Sequence, residues 1–130
     1  MAIITLTTDF GLKDHFVAEL KGSIYSELPD AKIVDISHDI MPFNIHECAY
    51  ILFNSYKSFP KGTIHIVGVD SEETPDNKHV VALINDHYFI SANTGVIGLI
   101  TEEMTPEKVV EINLPDSIAY SFPVLNVFIQ

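Results

Sequence analysis

Residues 1–22, which read MAIITLTTDFGLKDHFVAELKG, decide the fold of this chain. Their apolar run ends at Asp9 and Gly11, and a second acid, Asp14, opens an amphipathic segment. This order predicts a buried strand that carries a carboxylate to the edge of a sheet, where open α/β folds place their ligands. Two acids on one strand-to-helix turn suit hydroxyl or ammonium groups, whereas phosphate favours glycine-rich backbone and lysine. Turn and helix-capping chemistry alone is an equally good interpretation of so short a segment.

Strand and helix patterns alternate along the rest of the chain. Apolar runs predict strands at 3–8, 32–36, 63–69, 80–84, 88–91 and 108–112, with a hairpin turn at Asn85-Asp86. Helical spacing predicts helices at 13–28, 44–58 and 94–100, and Asn44 and Glu47 are placed for a capping box. The apolar stripe of the first helix comprises Phe16, Val17, Leu20, Ile24 and Leu28. Strands that alternate with helices predict an α/β domain with a mostly parallel sheet flanked by helices.

Composition and charge narrow the classes of function. The 130 residues are enough for one domain with a core, and seven basic against eighteen acidic residues give a net charge of -11. No basic cluster is present, which argues against nucleic acid and anionic membranes as partners. An acidic protein suits a cationic ligand. The sequence shows neither a basic leader nor a long apolar run, so we expect a cytoplasmic protein without a signal peptide.

Cysteine and histidine give little support for nucleophilic or metal chemistry. Cys48 is the single cysteine and lies among apolar helix positions, which favours a small core residue over a nucleophile. Histidine and acidic residues do not recur at metal-ligand spacings, so no metal site is predicted. His38 is left open, because it lies in a loop at the favoured sheet edge. The histidines interpreted as scattered surface residues are His15, His46, His65, His79 and His87.

Acidic residues follow several of the predicted strands. Asp9 and Asp70 both come after parallel strands, so their carboxylates should share one edge of the sheet. Asp35 follows the second strand and could join them. Phe43, in the loop before the second helix, has two interpretations: a hydrophobic staple against that helix, or an aromatic wall against a ligand. The pattern alone leaves both open.

The apolar segment 120–130, YSFPVLNVFIQ, has no cap, glycine or polar tail. Such a run has to be buried against something. We therefore expect residues 1–130 to be an N-terminal domain of a longer protein.

Taken together, the residues resemble the S-adenosylmethionine (SAM) hydroxide adenosyltransferases, which are SAM hydrolases related to the fluorinase and chlorinase. The matching pieces run in order along the chain. They are Thr8-Asp9-Phe10-Gly11, Asp14, Lys21-Gly22, Pro29-Asp30, Val34-Asp35-Ile36-Ser37-His38, Pro42-Phe43, Phe59-Pro60-Lys61-Gly62-Thr63, Val69-Asp70 and Asn93-Thr94-Gly95. No single piece is specific, but the ordered set is.

The resemblance implies a fold, an assembly and a reaction. The fold would be a Rossmann-like three-layer α/β domain, and the family's C-terminal β-barrel domain would be absent from residues 1–130. Members form trimers with the site between subunits, so a homotrimer is implied when the barrel is present. The reaction would be hydrolysis of SAM to adenosine and methionine, with SAM as substrate and with no cofactor or metal.

The resemblance also implies roles for individual residues. Asp9 would hold the ribose hydroxyls, Asp14 would meet the methionine ammonium, and Phe43 would pack beside the ribose. Asp70 would be the catalytic aspartate of an Asp-Arg-His set that orients water. Phe122 falls in the aligned segment that carries the histidine and counts as a substrate-binding position. A carboxylate accepts hydroxyl protons and pairs with ammonium groups, so these roles are chemically reasonable.

The chain departs from the family pattern at the reaction centre. The arginine position falls on Asn77, with Lys78 next to it, and the histidine position falls on Pro123. Lysine lacks the bidentate fork of arginine, and proline cannot replace histidine. Glu73 and Val124 occupy the halide-pocket positions, which disfavours a halogenase. The sequence therefore predicts a SAM hydrolase with impaired catalysis, and the alternative is a non-catalytic relative that binds SAM or another adenosyl compound.

Overall fold

A computed structural model describes residues 3–69, 79–92, 96–100 and 108–112 of the chain. In chain order the elements are β1 (Ile3–Thr8), α1 (Phe16–Glu27), β2 (Lys32–Ser37), α2 (Ile45–Ser55), β3 (Ile64–Gly68), β4 (His79–Ile84), β5 (His87–Ala92), α3 (Val96–Ile100) and β6 (Lys108–Ile112). A 3₁₀ turn at Tyr56–Ser58 extends α2. None of the helices in these ranges is long and apolar enough to cross a membrane.

The strands form one sheet in the order β2-β1-β3-β5-β4-β6. Strand β1 pairs in parallel with β2 and β3, and β3 pairs in parallel with β5, whereas β4 runs antiparallel to β5 and β6. The predicted mostly parallel sheet is confirmed. Because β2 lies on one side of β1 and β3 on the other, the strand order reverses at β1. Open α/β sheets bind ligands outside the carboxyl ends of the strands at such a reversal.

Two apolar layers cover the two faces of the sheet. On one face α1 buries Leu20 and Ile24 against β1 and β3, and on the other α2 and α3 pack against β3, β4 and β5. Successive residues of β3 alternate between the layers, with Ile66 in the first and Val67 in the second, as the pleat of a strand requires. The predicted three-layer architecture is therefore confirmed.

Helix α1 is shorter than the predicted helix at 13–28. It begins at Phe16, after an N-cap at His15 that makes no side-chain capping hydrogen bond, and the Asp14 Oδ1 accepts the Phe16 backbone N–H at 3.2 Å. Phe16 and Leu28, at the two ends of the predicted stripe, are 38% and 40% exposed, so the stripe was too long. Its buried members are Val17, Leu20 and Ile24.

Helix α2 begins where the capping residue predicts. The Asn44 Oδ1 accepts the Glu47 backbone N–H at 3.0 Å. The second half of the predicted capping box is wrong, because the Glu47 Oε1 accepts the backbone N–H of Met41 at 3.2 Å and not that of Asn44. Glu47 therefore ties the preceding loop to the helix. The hairpin is confirmed: Asn85 and Asp86 have φ of 50° and 65°, as a type I′ turn requires.

Three histidines were wrongly predicted to lie on the surface. His65, His79 and His87 are 0%, 0% and 4% exposed, whereas His15 and His46 are exposed as predicted. The strands that carry the three buried imidazoles are covered by neighbouring elements. His65 illustrates how such a ring is accommodated, because its nitrogens hydrogen-bond with the Thr5 hydroxyl at 2.6 Å and with His87 at 3.1 Å.

Candidate functional site

The turn at the carboxyl end of β1 is fixed to both neighbouring strands. The Asp9 backbone N–H donates to the Gly68 carbonyl on β3 at 3.3 Å, and the Gly11 N–H donates to the His38 carbonyl after β2 at 2.8 Å. Gly11 has a φ of 75°, which is accessible to glycine without a steric penalty. A Cβ at position 68 would lie 3.1 Å from both Phe10 Cζ and Thr8 Cγ2, so Gly68 permits the close approach of this turn. Asp9 is therefore presented from a well-anchored backbone.

The loop before α2 meets this turn at the Asp9 carboxylate. The backbone N–H of Phe43 donates to the Asp9 Oδ2 at 3.0 Å. Phe43 has a φ of 63°, in the left-handed region that bulky residues rarely adopt, and its side chain is 70% exposed. A hydrophobic staple would bury the ring against α2, so that interpretation of Phe43 is wrong. The ring stands in solvent, and its backbone contacts the acid of β1.

An open cleft of about 480 Å³ lies between these two segments. Its acidic side chains are Asp9, Asp39 and Glu47, and no lysine or arginine occurs among the described residues that line it. A concave site whose charges share one sign favours a ligand of the opposite sign. The lining residues are Asp9, Phe10, Gly11, His38, Asp39, Ile40, Met41, Pro42 and Glu47.

A hydrogen-bond chain that runs from the surface to buried residues lies behind the cleft. The His38 Nδ1 is 2.7 Å from the Thr8 Oγ1, and its Nε2 is 2.7 Å from the Asp35 Oδ1. The Lys21 Nζ donates to the Asp35 Oδ2 at 2.6 Å. Burial acts to raise the pKa of the Asp35 carboxyl, but the hydrogen bonds from Lys21 and His38 outweigh it and hold that pKa below its ordinary value of 3.8. Asp35 lies within β2 and not after it, so it belongs to this chain rather than to the row of acids expected at the sheet edge.

The structure brings two of the predicted site residues together. The Phe43 backbone N–H donates to the Asp9 carboxylate, which lines the cleft, but Phe43 is not itself one of the lining residues. Asp14 is exposed, does not line the cleft and accepts the Phe16 backbone N–H just before α1. Asp70 and Phe122, and the substituted positions Asn77, Lys78 and Pro123, lie outside the described residues, as do Glu73 and Val124. Their predicted roles stay predictions.

Sequence reasoning missed Glu47 as a lining residue, noted Asp39 only as lying close behind Asp35 near the sheet edge, and did not predict the partners of His38. The position of Glu47 could have indicated its place in the lining, because a residue in the first turn of α2 lies beside the loop that precedes the helix. Cys48 is fully buried, and burial together with Asp9 and Glu47 raises its pKa to about 12. It is a core residue and not a nucleophile, as predicted. The described residues contain no group of three His, Cys, Asp or Glu side chains able to hold a metal ion.

The fold and the cleft together define an α/β domain with an acidic cleft at its strand-order reversal. Residues 4–130 match the family model of the SAM hydroxide adenosyltransferase N-terminal domain. The chain therefore belongs to the SAM hydroxide adenosyltransferase family. The resemblance drawn from its ordered motifs is confirmed.

Similar proteins include named enzymes. An (R)-S-adenosyl-L-methionine hydrolase from Methanocaldococcus jannaschii is 34% identical over 116 residues, which are 85% of this chain and 44% of that protein. A fluorinase from Nocardia brasiliensis is 39% identical over 62 residues, 48% of this chain and 21% of that protein. A crystal structure of an uncharacterized conserved protein from Thermotoga maritima superposes with a TM-score of 0.83 at 28% identity, covering 98% of this chain and 52% of that one. The chain thus spans about half the length, or less, of these relatives.

Proposed function

We propose that this chain is the N-terminal domain of a SAM hydrolase and binds SAM in the acidic cleft beside Asp9. The observation that carries the proposal is the position of the Asp9 carboxylate at the strand-order reversal, where it accepts the Phe43 N–H. The proteins that this chain is similar to include SAM hydrolases. SAM carries a positive sulfonium and an ammonium group. The acids Asp9, Asp39 and Glu47 on the cleft wall suit such a cation.

The proposed reaction is a displacement at the ribose methylene carbon that bears the sulfur. Water attacks this carbon, the carbon–sulfur bond breaks with its electron pair going to sulfur, and the water proton is released. Adenosine and methionine are the products. Because a sulfonium is already a good leaving group, the protein has mainly to position the two reactants and to activate water. In this scheme Asp70 orients the water, and impaired turnover follows from the residues at positions 77 and 123.

The roles proposed for the binding residues differ in their support. Asp9 holds the ribose hydroxyls, and its place on the cleft wall supports this. Phe43 packs beside the ribose, and its exposed side chain together with the hydrogen bond from its backbone to Asp9 supports this. The proposals that Asp14 pairs with the methionine ammonium and that Phe122 contacts substrate rest on the family resemblance alone. A cytoplasmic location and a homotrimer completed by the barrel domain are proposed on the same ground.

The test is to incubate SAM with the protein in the form that carries the proposed barrel domain and to analyse the mixture for adenosine and methionine, with calorimetry to measure binding. Equal amounts of both products establish the hydrolase. Intact SAM with measurable binding leaves the non-catalytic binding relative, and absence of binding contradicts the ligand assignment.

Asp9→Asn keeps an acceptor for the Phe43 N–H but removes the charge. Loss of two charge-assisted hydrogen bonds should raise the Kd for SAM about 100-fold. The matched control is Asp30→Asn, at an exposed turn between α1 and β2, which changes net charge equally. If both variants weaken binding alike, the effect is one of overall charge, and the role of Asp9 is contradicted.

A further inference from the structure

Four side chains from three elements form a row behind the cleft. Lys21 on α1 holds Asp35 on β2, Asp35 holds His38, and His38 holds Thr8 at the end of β1. Thr8 and His38 are 0% and 4% exposed, whereas the side chains of Lys21 and Asp35 are 33% and 41% exposed. The row therefore runs from the surface into the interior and ends next to Asp9.

The Asp35 carboxylate fixes the direction of its hydrogen bond with His38, and the tautomer of the neutral ring follows from it. An ionised carboxylate only accepts, so the His38 Nε2 carries the proton that points to Asp35. In the neutral ring Nδ1 is then an acceptor, and the Thr8 hydroxyl donates to it. The Thr8 oxygen in turn accepts the Phe10 backbone N–H at 3.3 Å. Each group is used in the sense its chemistry allows, and the row ends on the backbone that follows Asp9.

An acid, a histidine and a hydroxyl in this order also occur in nucleophilic triads. Here that chemistry is excluded by burial, because Thr8 is fully buried and its oxygen already accepts a backbone N–H. His38 lines the cleft, whereas Thr8 does not. The row of hydrogen bonds therefore stabilises the turn that follows β1.

We propose that His38, fixed by Asp35 and bonded to Thr8, is a positioning residue that sets the orientation of the Asp9-Phe10-Gly11 turn for ligand binding. His38 contacts this turn twice, through its side chain to Thr8 and through its carbonyl to the Gly11 N–H at 2.8 Å. It also begins the segment 38–42 that forms the opposite wall of the cleft. One residue thus sets both walls. The identity of the ligand in this inference rests on the proposed function. The expected effect on the backbone of the turn, which is measured without ligand, does not.

The chain supplies its own matched control. Thr5, three residues earlier on β1, is also fully buried and pairs with a histidine, His65, at 2.6 Å. Thr8→Val and Thr5→Val each remove one buried hydroxyl from a histidine while conserving shape. Because the Thr8 oxygen also accepts the Phe10 N–H, His38→Phe is the second variant: it removes the imidazole partner of Thr8 and leaves that backbone bond in place. Thr8→Ser restores the hydroxyl at the cleft. A role confined to stability predicts similar effects of the two valine variants, whereas positioning predicts a difference.

The first measurement is hydrogen exchange of the Gly11 amide without ligand, by NMR on the full chain. Its partner is the His38 carbonyl and not Thr8, so faster exchange reports movement of the turn rather than a deleted acceptor. We expect Thr8→Val to accelerate exchange of Gly11 about tenfold more than Thr5→Val does, and Thr8→Ser to return it to within about twofold of the wild type. Equal acceleration by both valine variants overturns the proposal. If His38→Phe does not accelerate exchange of Gly11, the role assigned to His38 is overturned.

The second measurement is the Kd for SAM by calorimetry. We expect Thr8→Val to raise it about tenfold and Thr5→Val to leave it within about twofold, at pH and temperature where both variants are folded. Equal weakening by both variants overturns the positioning role. If the wild type binds no SAM, the proposed function fails, and the exchange of Gly11 still decides whether His38 positions the turn.

Discussion

Strand β1 carries two buried threonine–histidine pairs that differ in almost everything except their chemistry. The inner pair, Thr5 with His65, lies against aromatic rings: His65 stacks on Phe89 at 4.8 Å and meets Tyr56 edge-on at 6.3 Å. The outer pair, Thr8 with His38, connects through Asp35 to the surface. The two threonines are three residues apart, and both are fully buried.

The difference lies in what the second nitrogen of each histidine contacts. In the inner pair it contacts a second imidazole, that of His87, at 3.1 Å, and burial lowers the pKa of His65 to about 3. In the outer pair the second nitrogen of His38 donates a hydrogen bond to the Asp35 carboxylate. The inner histidine is consequently held neutral in the core, whereas the outer histidine links a charged surface pair to the cleft. The same side chains serve packing in one place and a site in the other.

The largest effect we expect is loss of stability in mild acid, caused by the inner pair. Since the pKa of His65 is near 3 in the folded chain and 6.5 when unfolded, the unfolded state binds more protons between these values. Stability therefore falls as pH decreases below 6.5, by about 3 kcal/mol at pH 4. His87 adds to it, because burial and Lys61 lower its pKa although Asp86 opposes them. Urea unfolding from pH 7 to pH 4 measures the slope.

His65→Gln should remove most of this slope, whatever it does to stability at pH 7. Phe89→Leu is the control, since it weakens the same packing without removing a titratable group and should keep the slope. Asp35, beside the outer pair, behaves differently, because its lowered pKa places the loss of its contribution to stability below pH 3.8. An unchanged slope in His65→Gln would contradict the separation of the two regions.

The sequence predicts the strand that carries the two pairs but not the histidine partners of its threonines. Strand β1 and the turn at Asp9 and Gly11 that follows it were predictable, because an apolar run, an acid and a glycine are local signals. The burial of His65 was not, since its partner Thr5 is 60 residues away and the contact depends on the pairing of β1 with β3. The partners of His38 likewise come from other elements. From its residue type alone a histidine is predicted to be exposed. Its burial here follows from contacts between elements that are distant in the sequence.

A smaller effect, about 1 kcal/mol, is expected at the loop that faces the outer pair. Phe43 has a φ of 63°, which costs L residues roughly 1–2 kcal/mol and costs glycine little. Its ring is 70% exposed, so little burial is lost on truncation. Phe43→Gly should therefore be more stable than Phe43→Ala by about 1 kcal/mol in urea unfolding, the reverse of the usual order. Greater stability of the alanine variant would show that the loop leaves this conformation in solution.

The smallest effect is expected where the outer row reaches the surface. Lys21→Met keeps the aliphatic stem but removes the charge that pairs with Asp35 at 2.6 Å. Because both side chains are about a third or more exposed, we expect a loss of only about 0.5 kcal/mol. At 1 M salt the Debye length is about 3 Å, so the loss should shrink, whereas the loss in Thr5→Val should persist because its hydrogen bond is dry. A loss in Lys21→Met that is independent of salt would mean that Lys21 supports β2 through its stem. The outer pair would then resemble the inner one, held by packing rather than by charge.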